Sequence, residues 1–104
     1  MIYVDNAQIP ATIGSLRGKW SHLVAWPPDI KELREFAKKI GLKDEWIQHP
    51  DDPVHTHFDV TLSMRTKAIK AGATEIGAYE LARMRIEYMN KLRGDTLREV
   101  EVEG

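Results

Sequence analysis

Four histidines and a group of carboxylates and cations crowd into a few short segments of this chain, and their spacing sets what chemistry they could carry. His55, His57 and Asp59 recur at period two, so a strand would direct all three to one face. Two imidazoles and a carboxylate on one face are the donor types for zinc or another divalent transition ion. The H-x-H-x-D pattern is short, and no second cluster with ligand spacing accompanies it, so neither a metal nor another cofactor is expected. The plainer alternative leaves His49 and His55 in loops, with His57 and Asp59 hydrogen-bonded at a strand end.

Asp5 closes the N-terminal apolar run, and His22 lies near the start of the next one. If the two runs are antiparallel neighbours, the pair meets at one sheet edge, where a carboxylate fixes the imidazole tautomer and raises its basicity. The alternative is a strand histidine bonded only to backbone. Thr61, Ser63 and Arg65 sit where a strand end leads into a helix. Unpaired N–H groups and the positive dipole end favour phosphate or carboxylate there, and Ser63 and Arg65 add a hydroxyl and a bidentate fork. Taken alone, Thr61 needs to do no more than cap the helix. Arg17, Lys19 and Trp20 put two cations and an aromatic around Gly18, a set able to cradle a phosphate and stack on a base, although such cations are commonly just solvated. The catalytic candidates are therefore His22, His57, Asp59 and Asp5, and the substrate-binding candidates Arg65, Ser63, Thr61, Trp20, Arg17 and Lys19.

The elements that must position these residues follow from the punctuation of the chain. Residues 2–4 form a β-rich run, and residues 6–19, with Pro10, Gly14 and Gly18 and no period, read as a long loop of the kind that carries function. Residues 20–26 read as a second strand with Trp20, His22, Val24 and Trp26 on one face. Asp29 and Glu32 form a D-x-x-E capping box before Ile30, Leu33, Phe36, Ala37 and Ile40 at helical spacing, with Gly41 as the left-handed stop. A short strand over 45–48, a Pro/Asp loop, and a strand over 57–60 come next. Thr61 then caps a helix with Leu62, Ala68 and Ile69 inward, ended by Gly72. Residues 73–76 read as a last short strand. A third helix over 78–93 carries Leu81, Met84, Tyr88 and Leu92 on one stripe, Arg83, Arg85, Glu87, Lys91 and Arg93 on a solvent face, and Gly94 as its stop. The acidic tail alternates like a strand but is terminal, where fraying competes. Strands alternating with helices predict an α/β fold: a small mixed sheet with about three helices in one domain over 1–94, and a tail over 95–104.

Composition removes several classes of function. With 15 basic and 16 acidic residues and a net charge of −1, nothing in the global charge steers the chain onto nucleic acid. The lack of cysteine excludes disulfides, thiolate zinc sites and cysteine nucleophiles. No apolar run approaches a membrane span and no secretory leader is visible, so a cytoplasmic protein is expected. The phosphate-loop, dinucleotide-binding, nucleophile-elbow and H-E-x-x-H patterns are all absent.

Taken in order, M-I-Y-V-D at the N-terminus, R-G-K-W-S-H-L near position 20, H-F-D-V-T near 60 and R-x-x-A-x-x-x-G-A from Arg65 to Ala73 resemble the small bacterial and phage domain-of-unknown-function family 4031, over roughly residues 1–83. The resemblance implies that Asp5, Trp20, His22, His57, Asp59 and Arg65 occupy motif positions, with His49 and His55 outside them. Similar proteins carry H-Y-D and S-K-R, where this chain has Phe58 and Met64. The resemblance supplies no activity.

Function must then come from the residues. The expectation is a domain that binds a phosphorylated small molecule or nucleotide and hydrolyses it, with Arg65 and the helix start holding the anion and His57 or His22 as general acid or base, oriented by Asp59 or Asp5. The first alternative is a non-enzymatic, phage-type module that engages a protein partner through the same pocket or the third helix. The second is nucleic-acid binding through Arg17, Lys19, Arg65, Lys67 and Lys70, against which the neutral charge weighs. Oligomeric state is not legible.

Overall fold

The computed structural model describes residues 1–13 and 16–103, with side chains for residues 1–10 and 18–94. Five strands make one mixed sheet: β1 (Ile2–Val4), β2 (Ile9–Ile13), β3 (Leu16–Ala25), β4 (Phe58–Val60) and β5 (Thr74–Glu75). Three helices accompany them, α1 (Ile30–Lys39), α2 (Leu62–Lys70) and α3 (Ala78–Glu103). The predicted α/β class with a small mixed sheet and three helices is the observed one.

Long β3 organises the sheet. Its first half pairs antiparallel with β2, and its second half is flanked by β1 on one side and β4 on the other, both antiparallel. β5 adds to β1 in parallel, reached through the α2 crossover. Strand alternation then sorts the side chains. Ile2, Val4, Leu23, Ala25, Phe58 and Val60 point to one face, where they bury themselves against Leu33, Ala37 and Ile40 of α1 and Ala68 of α2. The intervening residues, including Asp5, His22, Val24, His57 and Asp59, must point to the other face. α3 lies over that second face, with Leu81 buried and Tyr88 edge-on to Trp26 at 5.4 Å between ring centroids.

The ends of α1 and α2 follow the sequence signals closely. Asp29 accepts from the Glu32 N–H at 3.0 Å, although the Glu32 carboxylate does not close the capping box: it accepts from the Met1 amino group at 2.6 Å. Gly41 (φ 91°) and Gly72 (φ 113°) take the left-handed conformation after α1 and α2. Each is framed by a paired hydrogen bond back into the helix: Gly41 to Lys38 and Leu42 to Ala37 in one, Gly72 to Ile69 and Ala73 to Ala68 in the other.

Several expectations need correction. Residues 6–19 are largely a hairpin rather than a loop: β2 pairs with Leu16–Trp20, and Pro10 fits because β2 is an edge strand. Gly14 lies outside the described residues. The strand expected over 45–48 is a 3-10 turn, Asp44–Trp46, followed by a single bridge between Gln48 and His57. Leu62 is exposed and Met64 packs towards the core in its stead. The third helix continues through Gly94 to Glu103, so neither the expected stop nor a strand-like tail is present in the backbone. A glycine inside a helix costs only about 1 kcal/mol, which good helix formers on either side offset.

Candidate functional site

His22 sits at the middle of the sheet's polar face because β3 is the central strand. The β1–β3 register brings Asp5 beside it, and the β3–β4 register pairs it directly with Asp59. Asp5 is only 2 % exposed, yet its carboxylate is fully occupied: Oδ1 accepts the backbone N–H of His22 at 2.8 Å and of Ala7 at 3.2 Å, and Oδ2 lies 2.6 Å from His22 Nδ1. Burial alone would push Asp5 up, but the His22 side-chain and backbone hydrogen bonds outweigh it and hold the carboxyl below its ordinary value. The same side-chain bond raises His22 against the effect of its own burial. An ionised Asp5 fixes the proton of His22 on Nδ1 and leaves Nε2 facing away from it.

His57 joins from β4. Its Nδ1 lies 2.7 Å from the carbonyl oxygen of His55 and so donates to it, which leaves Nε2 directed at Asp59 Oδ1, 3.3 Å away. The hydrogen bond with His57 holds Asp59 low despite partial burial. The two imidazoles meet edge-on, with ring centroids 5.0 Å apart. Two Asp–His pairs thus abut on one face, and one atom each of His22, His57 and Asp59 lie within 4.8 Å of one another. Their side chains are partly exposed, at 23 % for His22, 14 % for His57 and 23 % for Asp59, so solvent reaches them.

The other candidates are placed differently. Arg65 is turned under β1, where Nε donates to the Asp5 carbonyl oxygen at 2.8 Å and Nη2 to Glu75 at 3.1 Å. It therefore anchors the strand end that carries Asp5. Thr61 caps α2, accepting from the Met64 N–H at 3.3 Å, with the exposed Ser63 hydroxyl beside it. Trp20 is buried at 8 % exposure, and Lys19 is exposed in the hairpin, opposite Pro10. The Arg17 side chain lies outside the described residues. His55 does not join His57 and Asp59, because the strand begins only at Phe58. It is instead exposed and paired with Asp52 at 2.8 Å.

Two neighbours were not legible beforehand. His49, at φ 52° beside the Gln48–His57 bridge, brings its ring within 5.8 Å of His57. Arg85, expected on the solvent face of α3, is half-buried and donates to the Val54 carbonyl at 3.1 Å. Burial lowers its guanidinium, opposed by the charges of Asp5 and Asp52, while its own charge pushes His22 down. The available signal for Arg85 was its spacing from Leu81 and Tyr88 on the inward stripe. A cavity of about 200 Å³ lies on the opposite face of the sheet, between Asp29, Ile30 and Leu33 of the α1 start and Pro50, Pro53 and Thr56. It does not include the His/Asp cluster.

Residues 2–88 match the family described as a protein of unknown function, DUF4031. The chain belongs to this family. The match covers every member of the cluster together with Arg85 and the first part of α3, and ends before Gly94. No curated protein and no solved structure matches the chain. At the two positions where similar proteins differ, Phe58 is fully buried and Met64 packs against the core. Among the described residues no helix is long and apolar enough to cross a membrane.

Proposed function

We propose that this domain binds a phosphorylated small molecule or nucleotide on the polar face of its sheet and hydrolyses the phosphate ester, in the cytoplasm. The observation that carries the reading is the abutment of the Asp5–His22 and Asp59–His57 pairs, 5.0 Å apart between imidazole centroids. Each imidazole has Nδ1 committed to an oxygen, which turns Nε2 of His22 away from Asp5 and Nε2 of His57 towards Asp59. His22, made more basic by Asp5, takes a proton from water as the oxygen attacks phosphorus, the P–O ester bond breaks, and protonated His57 gives its proton to the leaving oxygen. Arg85, charged and partly desolvated beside the cluster, supplies the positive charge that attracts the phosphate.

Offering phosphomonoesters, phosphodiesters and nucleoside phosphates in turn, with products separated by chromatography, tests this. Turnover of one class is expected, with a loss of about 100-fold or more in His57→Ala and weaker substrate binding in Arg85→Ala. Failure to turn over any of the three classes, or full turnover in His57→Ala, removes the reading.

A second reading, a non-enzymatic module for a protein partner, draws on α3, where Tyr79, Ile86 and Met89 are exposed at 76 %, 57 % and 40 %. Partner binding that is lost in Ile86→Glu and retained in His57→Ala would favour it. For nucleic acid, Lys67 and Lys70 remain exposed on α2, but the Arg65 fork is already engaged by Asp5 and Glu75.

A further inference from the structure

We propose that His22, His57 and Asp59 form a binding site for a single divalent transition-metal ion, zinc by preference, with Asp5 as the outer partner that orients His22. A metal here deepens the hydrolytic reading of the same site, on which its catalytic role rests, while its binding does not.

The hydrogen bonding of the two rings carries the case. Asp5 Oδ2 holds the Nδ1 proton of His22, and the His55 carbonyl holds that of His57. In the neutral rings both Nε2 atoms then bear lone pairs. His57 Nε2 faces Asp59 Oδ1 at 3.3 Å, a contact that either a proton on Nε2 or a cation between the two atoms satisfies, so an ion there takes the place of that proton. A tetrahedral ion about 2.0–2.1 Å from each donor sets neighbouring donors about 3.3 Å apart, the separation already present on that edge. One donor atom from each of the three residues lies within 4.8 Å of the others, close enough for a single ion to serve all three. A carboxylate behind a ligating histidine, as Asp5 stands behind His22, is the usual outer arrangement and raises the basicity of the ligand.

Donor chemistry narrows the ion. Two imidazoles, one carboxylate and no thiolate suit zinc, manganese, iron or cobalt rather than calcium or magnesium, and zinc binds more tightly than the other three. Three protein ligands leave a fourth position open, which is the pattern of reactive zinc sites. When bound, the ion supplies that position, at which a water is acidified. Ligation occupies both Nε2 atoms, so in the zinc-bound form ion-acidified water takes the place of imidazole-activated water as nucleophile, and the leaving oxygen takes its proton from solvent in place of His57. The segment from Gln48 to His57 is closed by their mutual bridge, and Arg85 of α3 donates to the Val54 carbonyl within it.

The test uses the full chain, stripped with chelator and titrated with zinc by calorimetry and with cobalt by visible absorption. One ion per chain is expected, with a melting temperature that rises with zinc and returns with chelator. His57→Ala and Asp59→Asn should each weaken zinc binding by more than about 100-fold, beyond what loss of an outer partner does. His55→Ala should leave binding intact, since it removes an exposed imidazole but keeps the carbonyl that orients His57. Circular dichroism and a second site variant, His22→Ala, separate loss of ligand from loss of fold. Equal zinc affinity in folded His57→Ala and wild type, or no saturable binding at all, overturns the proposal. Turnover unaffected by chelator would remove the catalytic role of the metal and leave the hydrolytic reading standing. Stoichiometric zinc on these three ligands with no ester turned over would uphold the metal site and remove the hydrolytic reading.

Discussion

At the scale of single residues, Asp5 is the pivot of the site. It is almost fully buried, carries three hydrogen bonds on its carboxylate, and gives its backbone oxygen to Arg65. The pair it forms with His22 makes stability depend on pH in a definable window. Asp5 is held below its ordinary 3.8, so its contribution is complete above 3.8 and is lost as pH falls through the lower folded value. His22 is raised above 6.5, so its contribution is complete below 6.5 and is lost as pH rises through the higher folded value. In chelator-treated protein, stability from urea unfolding should therefore be highest between those two values and fall on both sides, with Asp59, also held low, adding to the acid limb. Asp5→Asn should cost about 2–3 kcal/mol inside the window and flatten the alkaline limb; an unchanged alkaline limb in that variant would show that the pair does not act as described. Arg65 belongs to the same design one layer out. Arg65→Ala leaves the Asp5 carbonyl without its donor and should destabilise by about 1–3 kcal/mol. Arg65→Lys should not restore the loss, because one ammonium cannot reproduce the fork that spans Asp5 and Glu75. Denaturant melts of the two variants decide it, and full stability in the lysine variant would contradict the bridging role.

At the scale of elements, strand alternation places the chemistry and helix caps fix the frame around it. On β1, β3 and β4, odd and even positions part company: one set builds the core with α1 and α2, and the other presents Asp5, His22, His57 and Asp59. The helix α2 connects β4 to β5, and its end depends on Gly72 at φ 113°. A Cβ added there meets nothing within 4 Å, so Gly72→Ala isolates the conformational cost of the left-handed backbone from any clash. A loss of about 1–2 kcal/mol is expected in thermal or urea unfolding, and no loss would mean that the turn relaxes without penalty. The caps and spans of α1 and α2 and the strand runs near 2–4, 20–26, 57–60 and 73–76 were readable from local sequence, whereas α3 runs past its expected stop. Hidden from local sequence was β2, because Ile9–Ile13 lacks alternation and contains a proline, and pairing with β3 alone makes it a strand.

At the scale of the whole molecule, one layer of α1 and α2, the sheet and α3 stack in that order, and the core named among the described side chains is built from residues 2–81. The family match also ends at residue 88. A chain ending at Gly94 should therefore fold with stability within about 1 kcal/mol of the full chain, about 4–8 °C in Tm, and retain zinc binding. A larger drop would assign the last ten residues a place in the fold.

The sequence by itself determined the three helix starts, the stops of α1 and α2, the α/β class and which residue types could do chemistry, because caps, periodicity and turn glycines act over a few residues. It also brought Asp5 and His22 into one frame, since two consecutive apolar runs pair antiparallel by default. It also named His57 and Asp59 beside them as candidates, but only the tertiary structure decided between the two groupings that the sequence left open. Spacing grouped His55 with His57 and Asp59, but the late start of β4 turned His55 away to Asp52, and the β3–β4 register put His22 in its place. It likewise moved Arg65 from the anion to the back of Asp5 and brought Arg85 in from α3. Register between strands separated by some forty residues is set by how the apolar faces of the whole sheet fit α1 and α2 at once, and no short window of sequence contains that fit.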